Sequence, residues 1–270
     1  MPKKNIKKQK IVVLTGGSGY LGEEMGSHLL KKGYFVINMG RKKPNFCNQN
    51  VSSKHYKVDF YNITKLKKCL NEIIKKHQII DILINNSFDF SKNTGFNTNS
   101  GRVEKINDKK FSRGLTSGIY WTFLCSQIIG NSMIKRKKGI IINIASLYSF
   151  LVPDAKMYRN TSIFNPIIYS VSKHGIIGMT KYLSSFWGPL GIRINALSPG
   201  TFPNISAKSK SKSPNKVKDD KFLNLLADKC TLKRVGVPSD LNAALEFLCS
   251  DKSKLLHGEN IVIDGGWSAL

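Results

Sequence analysis

Tyr169 and Lys173, in the run Tyr169-Ser-Val-Ser-Lys173, are the side chains whose types and spacing most directly suggest chemistry. Four residues apart on a helix, they share one face. An ammonium beside a phenol favours the phenolate and lowers its pKa. Such a phenol could pass a proton to or from a substrate oxygen near neutral pH. By itself the spacing does not separate this device from an ordinary surface pair, because any Tyr-x-x-x-Lys matches it. A second candidate is Thr15-Gly-Gly-Ser-Gly-Tyr-Leu-Gly22, directly after the apolar run Ile11-Val-Val-Leu14. Glycines there permit a tight turn and a close approach of the backbone to a pyrophosphate, which would rest on the free N–H groups and dipole of a helix N-terminus.

Both candidates need elements to hold them. Strands are predicted at Ile11–Thr15, Tyr34–Met39, Tyr56–Val58, Ile79–Asn85, Gly139–Ala145, Ile192–Leu197 and Asn260–Asp264. Helices are predicted from the glycine turn to about Gly33, and over Ile63–Lys76, Leu115–Ile134, Pro166–Trp187 and Asp240–Ser250. The segments Phe88–Gly101 and Lys208–Lys221 read as loops. Nearly all-apolar strands alternating with helices imply an α/β fold, a parallel sheet covered on both faces. With no internal repeat and no linker, the chain divides into a basic tail over residues 1–10 and one domain over 11–270.

Composition narrows the function classes. A chain of 270 residues with 41% hydrophobic content can bury a real core. The net charge of +26 concentrates in residues 1–10, in Lys135-Arg-Lys-Lys138 and in the lysines between 208 and 221. Such charge attracts polyanions or phosphorylated metabolites and is screened by salt. No interleaved basic–aromatic pattern or nucleic-acid module accompanies it, so the charge reads as a lysine-rich composition and a nucleic-acid partner is not expected. The five cysteines are widely separated and form neither a disulfide framework nor a metal site, as expected in a reducing cytoplasm. The histidines show no ligand spacing for a metal. The first apolar run is too short for a signal segment, and no stretch is long enough to span a membrane.

Taken together, Thr15-Gly…Gly22, Asp59, Asn85-Asn86, Ser146, Tyr169-x-x-x-Lys173, Ser198-Pro-Gly-Thr201 and Asp264-Gly-Gly266 resemble the short-chain dehydrogenase/reductase family, from about residue 10 to the C-terminus. The resemblance implies a single-domain Rossmann-type doubly wound parallel sheet with helices on both faces. It implies reversible hydride transfer between a nicotinamide cofactor and an alcohol or carbonyl. In that frame Tyr169 is the general acid/base, Lys173 lowers its pKa and holds the nicotinamide ribose, and Ser146 hydrogen-bonds the substrate oxygen. Gly16, Ser18, Gly19, Tyr20, Leu21 and Gly22 would hold the cofactor's phosphates. Asp59 and Phe60 would line its adenine, Asn86 its adenosine ribose, and Phe202 its nicotinamide. The acidic position that selects NAD falls on Gly40 and is followed by Arg41, which favours NADP(H) over the alternative NAD. A homotetramer or homodimer is implied, through the helices starting near Leu115 and Pro166.

The sequence also departs from the family pattern. Tyr20 stands where the short single-domain branch has its middle glycine, a spacing more typical of the longer branch, but the chain has no room for that branch's added lobe. Asn85-Asn-Ser-Phe88 replaces Asn-Asn-Ala-Gly, and the usual active-site asparagine falls on Gly118. Ser146 and Tyr169 lie further apart than usual, with Leu151–Pro166 inserted beside the site. Tyr158 in that stretch has no lysine four residues on, and His174 faces away from the Tyr169 side of its helix. The insertion is loosely similar to oxidoreductases of flagellin-glycan and nonulosonic-acid biosynthesis, which points to a sugar or sugar-phosphate substrate. A 3-oxoacyl thioester is the alternative substrate. A catalytically weakened cofactor-binding scaffold and a basic nucleic-acid binder are the alternative classes.

Overall fold

The computed structural model describes residues 9–48, 51–159, 164–204 and 220–269. Seven strands, β1 (Ile11–Thr15), β2 (Phe35–Gly40), β3 (Ser53–Lys57), β4 (Ile82–Asn85), β5 (Gly139–Ile144), β6 (Ile192–Pro199) and β7 (Asn260–Ile263), form one parallel sheet. Their order is β3-β2-β1-β4-β5-β6-β7. The chain therefore winds outward in one direction from β1 and in the other from β4. The two loops diverge there and leave a crevice at the carboxyl ends of the strands, where such sheets bind ligands.

Helices cover both faces: α1 (Tyr20–Lys31), α2 (Ile63–His77), α3 (Asp108–Leu115), α4 (Trp121–Lys135), α5 (Ile167–Trp187), α6 (Asp220–Lys229) and α7 (Asn242–Cys249). On α2 the buried residues Leu66, Leu70 and Ile73 recur at helical spacing and meet Leu124, Ile129 and Met133 of α4 over one sheet face. Met25 and Leu29 of α1 meet Leu245 and Leu248 of α7 over the other. Each such aliphatic side chain contributes roughly 1.5–3 kcal/mol by leaving water. The central strands, with helices on both sides, carry apolar residues on both faces rather than alternately, with buried polar exceptions such as Asn38, Asn85 and Asn143.

Four expectations need correction. β3 spans Ser53–Lys57 rather than Tyr56–Val58; it is an edge strand whose Lys54 and Lys57 face water, so its polarity masks it. β4 begins at Ile82 rather than Ile79; Asp81 precedes it, and its Oδ2 accepts the Ile11 N–H (2.8 Å). The helix expected over Leu115–Ile134 starts at Asp108, where the Asn107 side chain caps it by accepting the Lys110 N–H (3.0 Å), and a π turn at Thr116–Tyr120 interrupts it. Asp220 and Lys221, placed in the lysine-rich loop, open α6, which packs Phe222 and Leu226 inward. The rest of that loop, 208–219, and residues 1–8 of the basic tail lie outside the described residues. Among the described residues no helix is long and apolar enough to cross a membrane, and no group of three His, Cys, Asp or Glu could hold a metal ion.

Candidate active site

At the carboxyl end of β1 the chain turns through Gly16, whose φ of +71° is a left-handed conformation that favours glycine. A side chain at Gly22 would collide with the Gly16 carbonyl, so the helix can approach the strand only with glycine there. Gly19 caps α1 with no side-chain hydrogen bond, which leaves the helix's first N–H groups facing the crevice. Two polar side chains fix this turn. Asn38 of β2 accepts the Gly17 N–H (2.7 Å), and Asn86 donates from Nδ2 to the carbonyls of Thr15 (3.1 Å) and Gly16 (3.2 Å).

Ser146 follows the end of β5, and its hydroxyl accepts the Tyr148 N–H (3.2 Å). Tyr169 stands in the first turn of α5 with Lys173 one turn later. Lys173 is 5% exposed, and its Nζ donates to the Ile144 carbonyl (2.8 Å) at the end of β5. Its Nζ lies 5.7 Å from the centre of the Tyr169 ring. Burial, with no acidic partner among the described residues, pushes the Lys173 ammonium down to about 7. The Tyr169 phenol, crowded by protein although its edge opens on the cavity, is pushed by burial up to about 12, while the Ser146 hydroxyl acts the other way. At the Tyr169 phenol, burial thus outweighs the Ser146 hydrogen bond.

Phe88 (5.1 Å), Phe90 (5.7 Å) and Phe96 (5.3 Å) crowd the Tyr169 ring, measured between ring centres. Their loop is anchored by buried Asp89, which accepts from the Tyr61 hydroxyl (2.8 Å) and from Arg113 Nε (3.1 Å). Burial alone would raise the Asp89 carboxyl, but these donors and Ser91 hold it below the usual carboxylate range. A Cβ at Gly118 would overlap the Ser172 side chain and lie 3.0 Å from Phe88. The position expected to carry an asparagine is thus filled from both sides.

These residues surround one cavity of about 550 Å³. Gly16, Ser18, Gly19, Tyr20, Leu21 and Gly22 line one part of it, with Arg41, Asp59, Phe60 and Asn86. Ser146, Tyr169, Lys173 and Phe202 also line it, so the residues named from the sequence as catalytic or cofactor-binding all border the same space. Within that set, Arg41 and Asp59 are exposed, whereas Phe60 is mostly core, edge-on to Trp121 at 5.3 Å.

Residues 21–268 match the profile of a family described as enoyl-(acyl carrier protein) reductase. The chain is a short-chain dehydrogenase/reductase. It is 26% identical over 264 residues to the 7alpha-hydroxysteroid dehydrogenase of Bacteroides fragilis, covering 95% of this chain and 93% of that one. It is 26% identical over 271 residues to the 2-dehydro-3-deoxy-D-gluconate 5-dehydrogenase of Bacillus subtilis, covering 96% and 95%. Its structure resembles that of a short-chain dehydrogenase from Leptospira borgpetersenii with bound NAD+, at a TM-score of 0.81, 29% identity, and coverage of 97% and 93%.

As a short-chain dehydrogenase/reductase the protein is an oxidoreductase acting on CH–OH/C=O groups, and its family binds NAD(P). The cavity suits such a cofactor. The glycine turn offers uncapped N–H groups to phosphate, and Asn204, 2% exposed and lining the cavity, has neither end of its amide bonded among the described residues. A buried amide without partners is costly. Sequence reasoning missed Asn204, which sits in a loop without pattern. It also missed Asn38, whose signal was present: a polar residue inside an apolar strand needs a buried partner.

Proposed function

We propose that this short-chain dehydrogenase/reductase moves a hydride between NADP(H) and a hydroxyl/ketone pair on a sugar or sugar-phosphate-like substrate. The convergence of Tyr169, Ser146 and Lys173 on the cavity that also holds the glycine turn carries this reading. The nicotinamide, when bound, supplies or accepts the hydride. In reduction the Tyr169 phenol gives its proton to the substrate oxygen, and the Ser146 hydroxyl donates a hydrogen bond to the same oxygen. A phenol raised by burial is fully protonated at neutral pH, which suits the reducing direction. Lys173, fixed by Ile144, holds the nicotinamide ribose, and its charge favours the phenolate once the proton has left. The phosphates rest on residues 16–22, Asp59 and Phe60 flank the adenine, Asn86 the adenosine ribose, and Phe202 the nicotinamide.

Cofactor choice rests on Arg41. It follows β2 with no carboxylate at Gly40, and its guanidinium is shaped to hold a 2′-phosphate that an acidic residue would repel. A homodimer or homotetramer is supported by the outer face of α5, where Tyr182 (62% exposed) and Phe186 (60%) stack at 4.5 Å, and by exposed Phe123 on α4. The cytoplasmic reading rests on the five cysteines, all of them free. A 3-oxoacyl thioester remains the second reading, favoured by the apolar wall of Phe88, Phe90 and Phe96 and by the description of the matching family.

The test is turnover of a carbonyl panel with NADPH and NADH by wild type and Tyr169→Phe. NADPH-dependent reduction should fall by about 10²-fold or more in the variant, with cofactor binding retained. No turnover by wild type would leave the scaffold reading, and near-normal turnover by Tyr169→Phe would remove Tyr169 from its role.

A further inference from the structure

The inserted stretch between Ser146 and Tyr169 brings two side chains to the cavity that the hydride-transfer chemistry does not use. Tyr158 points its hydroxyl at that of Tyr148 (3.3 Å), and Asn165 Nδ2 donates to the Tyr158 oxygen (2.9 Å). All three line the cavity, and the Tyr148 ring stands edge-on to Tyr169 with 6.3 Å between centres. Both phenols are buried, and burial raises their pKa values, so they are neutral hydroxyls at any physiological pH.

The trio is held firmly. The Phe164 N–H donates to Asn97 Oδ1 (2.9 Å) and the Asn97 N–H to the Phe164 carbonyl (3.0 Å), tying the insertion to the loop that carries Phe88, Phe90 and Phe96. Met157 and Tyr158 pack on Phe222 and Leu226 of α6, and Asp154 pairs with Lys229 of the same helix at 3.6 Å. Burying two phenol hydroxyls, with a half-buried amide beside them, is unfavourable unless their hydrogen bonds are used. Within the trio, Tyr158 is the centre. Its two ends, the Tyr148 hydroxyl and the Asn165 carbonyl oxygen, each keep hydrogen-bonding capacity. A purely apolar substrate would cover these ends and leave them unmet, whereas a substrate with hydroxyls next to the reacting carbon would meet them.

Resting on the hydride-transfer reading above, we propose that Tyr148, Tyr158 and Asn165 form the specificity wall of the site. They bind hydroxyls adjacent to the reacting carbon of a polyhydroxylated substrate, while Phe88, Phe90 and Phe96 pack on its C–H surface. A site built to hydrogen-bond a hydroxyl rejects the analogue that lacks it, because its own polar groups are then stranded.

The experiment compares oxidation, with NADP+ and NAD+, of D-glucose, D-gluconate, glycerol and myo-inositol against cyclohexanol and 1-propanol. Wild type should prefer at least one polyol over both hydroxyl-poor alcohols in kcat/KM. Tyr158→Phe and Asn165→Leu, checked for folding by their melting temperatures, should each shrink that preference ratio by about tenfold, the loss of one good hydrogen bond. Tyr148→Phe serves as the second variant on the Tyr148–Tyr158 bond if Tyr158→Phe does not fold. A ratio that stays within threefold in folded variants overturns the wall. So does a wild type that oxidises cyclohexanol or 1-propanol in preference to every polyol, although hydride transfer then stands. A wild type that oxidises none of the six overturns the wall, while the carbonyl-panel reduction above decides separately whether hydride transfer stands.

Discussion

Lys173 is a cation buried against Ile144 and the face of Phe88, with no acidic partner among the described residues, and its pKa falls from 10.5 to about 7. Replacing it with methionine keeps the stem and removes the charge. A tenfold change in proton affinity corresponds to about 1.4 kcal/mol, so burial costs the wild type up to about 5 kcal/mol wherever the ammonium is charged in both folded and unfolded chains. The sign follows from proton binding. Between about pH 7 and 10.5 the unfolded chain holds a proton that the folded one has released, so wild-type stability rises with pH across that window. Below pH 7 the full cost persists, and above 10.5 it vanishes. Lys173→Met leaves the Ile144 carbonyl without its donor, a loss of about 1–3 kcal/mol that does not depend on pH. The net gain at pH 7 is therefore about 1–4 kcal/mol, and it should shrink by about 3 kcal/mol between pH 7 and 9.5. Taking the difference between the two proteins cancels every other titrating group. Reversible urea unfolding of both at pH 6, 7, 8.5 and 9.5 gives the curve, and activity should be lost at every pH. Parallel stability curves would refute the reasoning, because Lys173 would then titrate alike in both states.

Gly118→Asn should lower stability by about 1–3 kcal/mol, since its Cβ meets Ser172 and Phe88, and thermal unfolding checks this. A variant as stable as wild type would show that the π turn relaxes freely. Arg41→Ala should weaken NADPH binding about 10–100-fold at low salt and leave NADH within a few-fold. Equal losses for both cofactors in titration calorimetry would place Arg41 away from the 2′-phosphate.

Much of this architecture is legible because its signals are local. Val12, Val13 and Leu14 form an apolar run that ends on glycines, and only a buried strand feeding a tight turn suits that pattern. Tyr169 and Lys173 are readable as a pair because one helix fixes their relation. What escapes depends on contacts distant in sequence. Lys173 lies four residues from Tyr169, yet the proton affinity of both groups is set by the walls that Ile144, Phe88 and Phe96 build, which spacing does not reveal. Tyr158 reads as irrelevant when judged by the missing lysine four residues later, but its hydroxyl is placed by Tyr148 and Asn165. α3 is hidden because Asn107-Asp-Lys-Lys110 is polar and looks like loop, although Asn107 is a good helix cap.

The π turn at Thr116–Tyr120 acts as a phase shifter between α3 and α4. An α-helix advances about 100° per residue, and a turn closed from i to i+5 takes up one residue more than an α turn. The two helices thus continue one another while their buried stripes are rotated apart. On one side of the shift Gly114 packs against Ile168 of α5; on the other, Leu124, Cys125 and Ile129 enter the core. Removing a single residue from the turn would restore an uninterrupted helix and swing one stripe away from its contacts. Outside Gly118, this segment should therefore tolerate changes of residue better than changes of length. Gly118 lies inside the turn and touches Ser172, the neighbour of Lys173. The residue count of the turn thereby sets which face of this rod meets the helix that carries Tyr169 and Lys173.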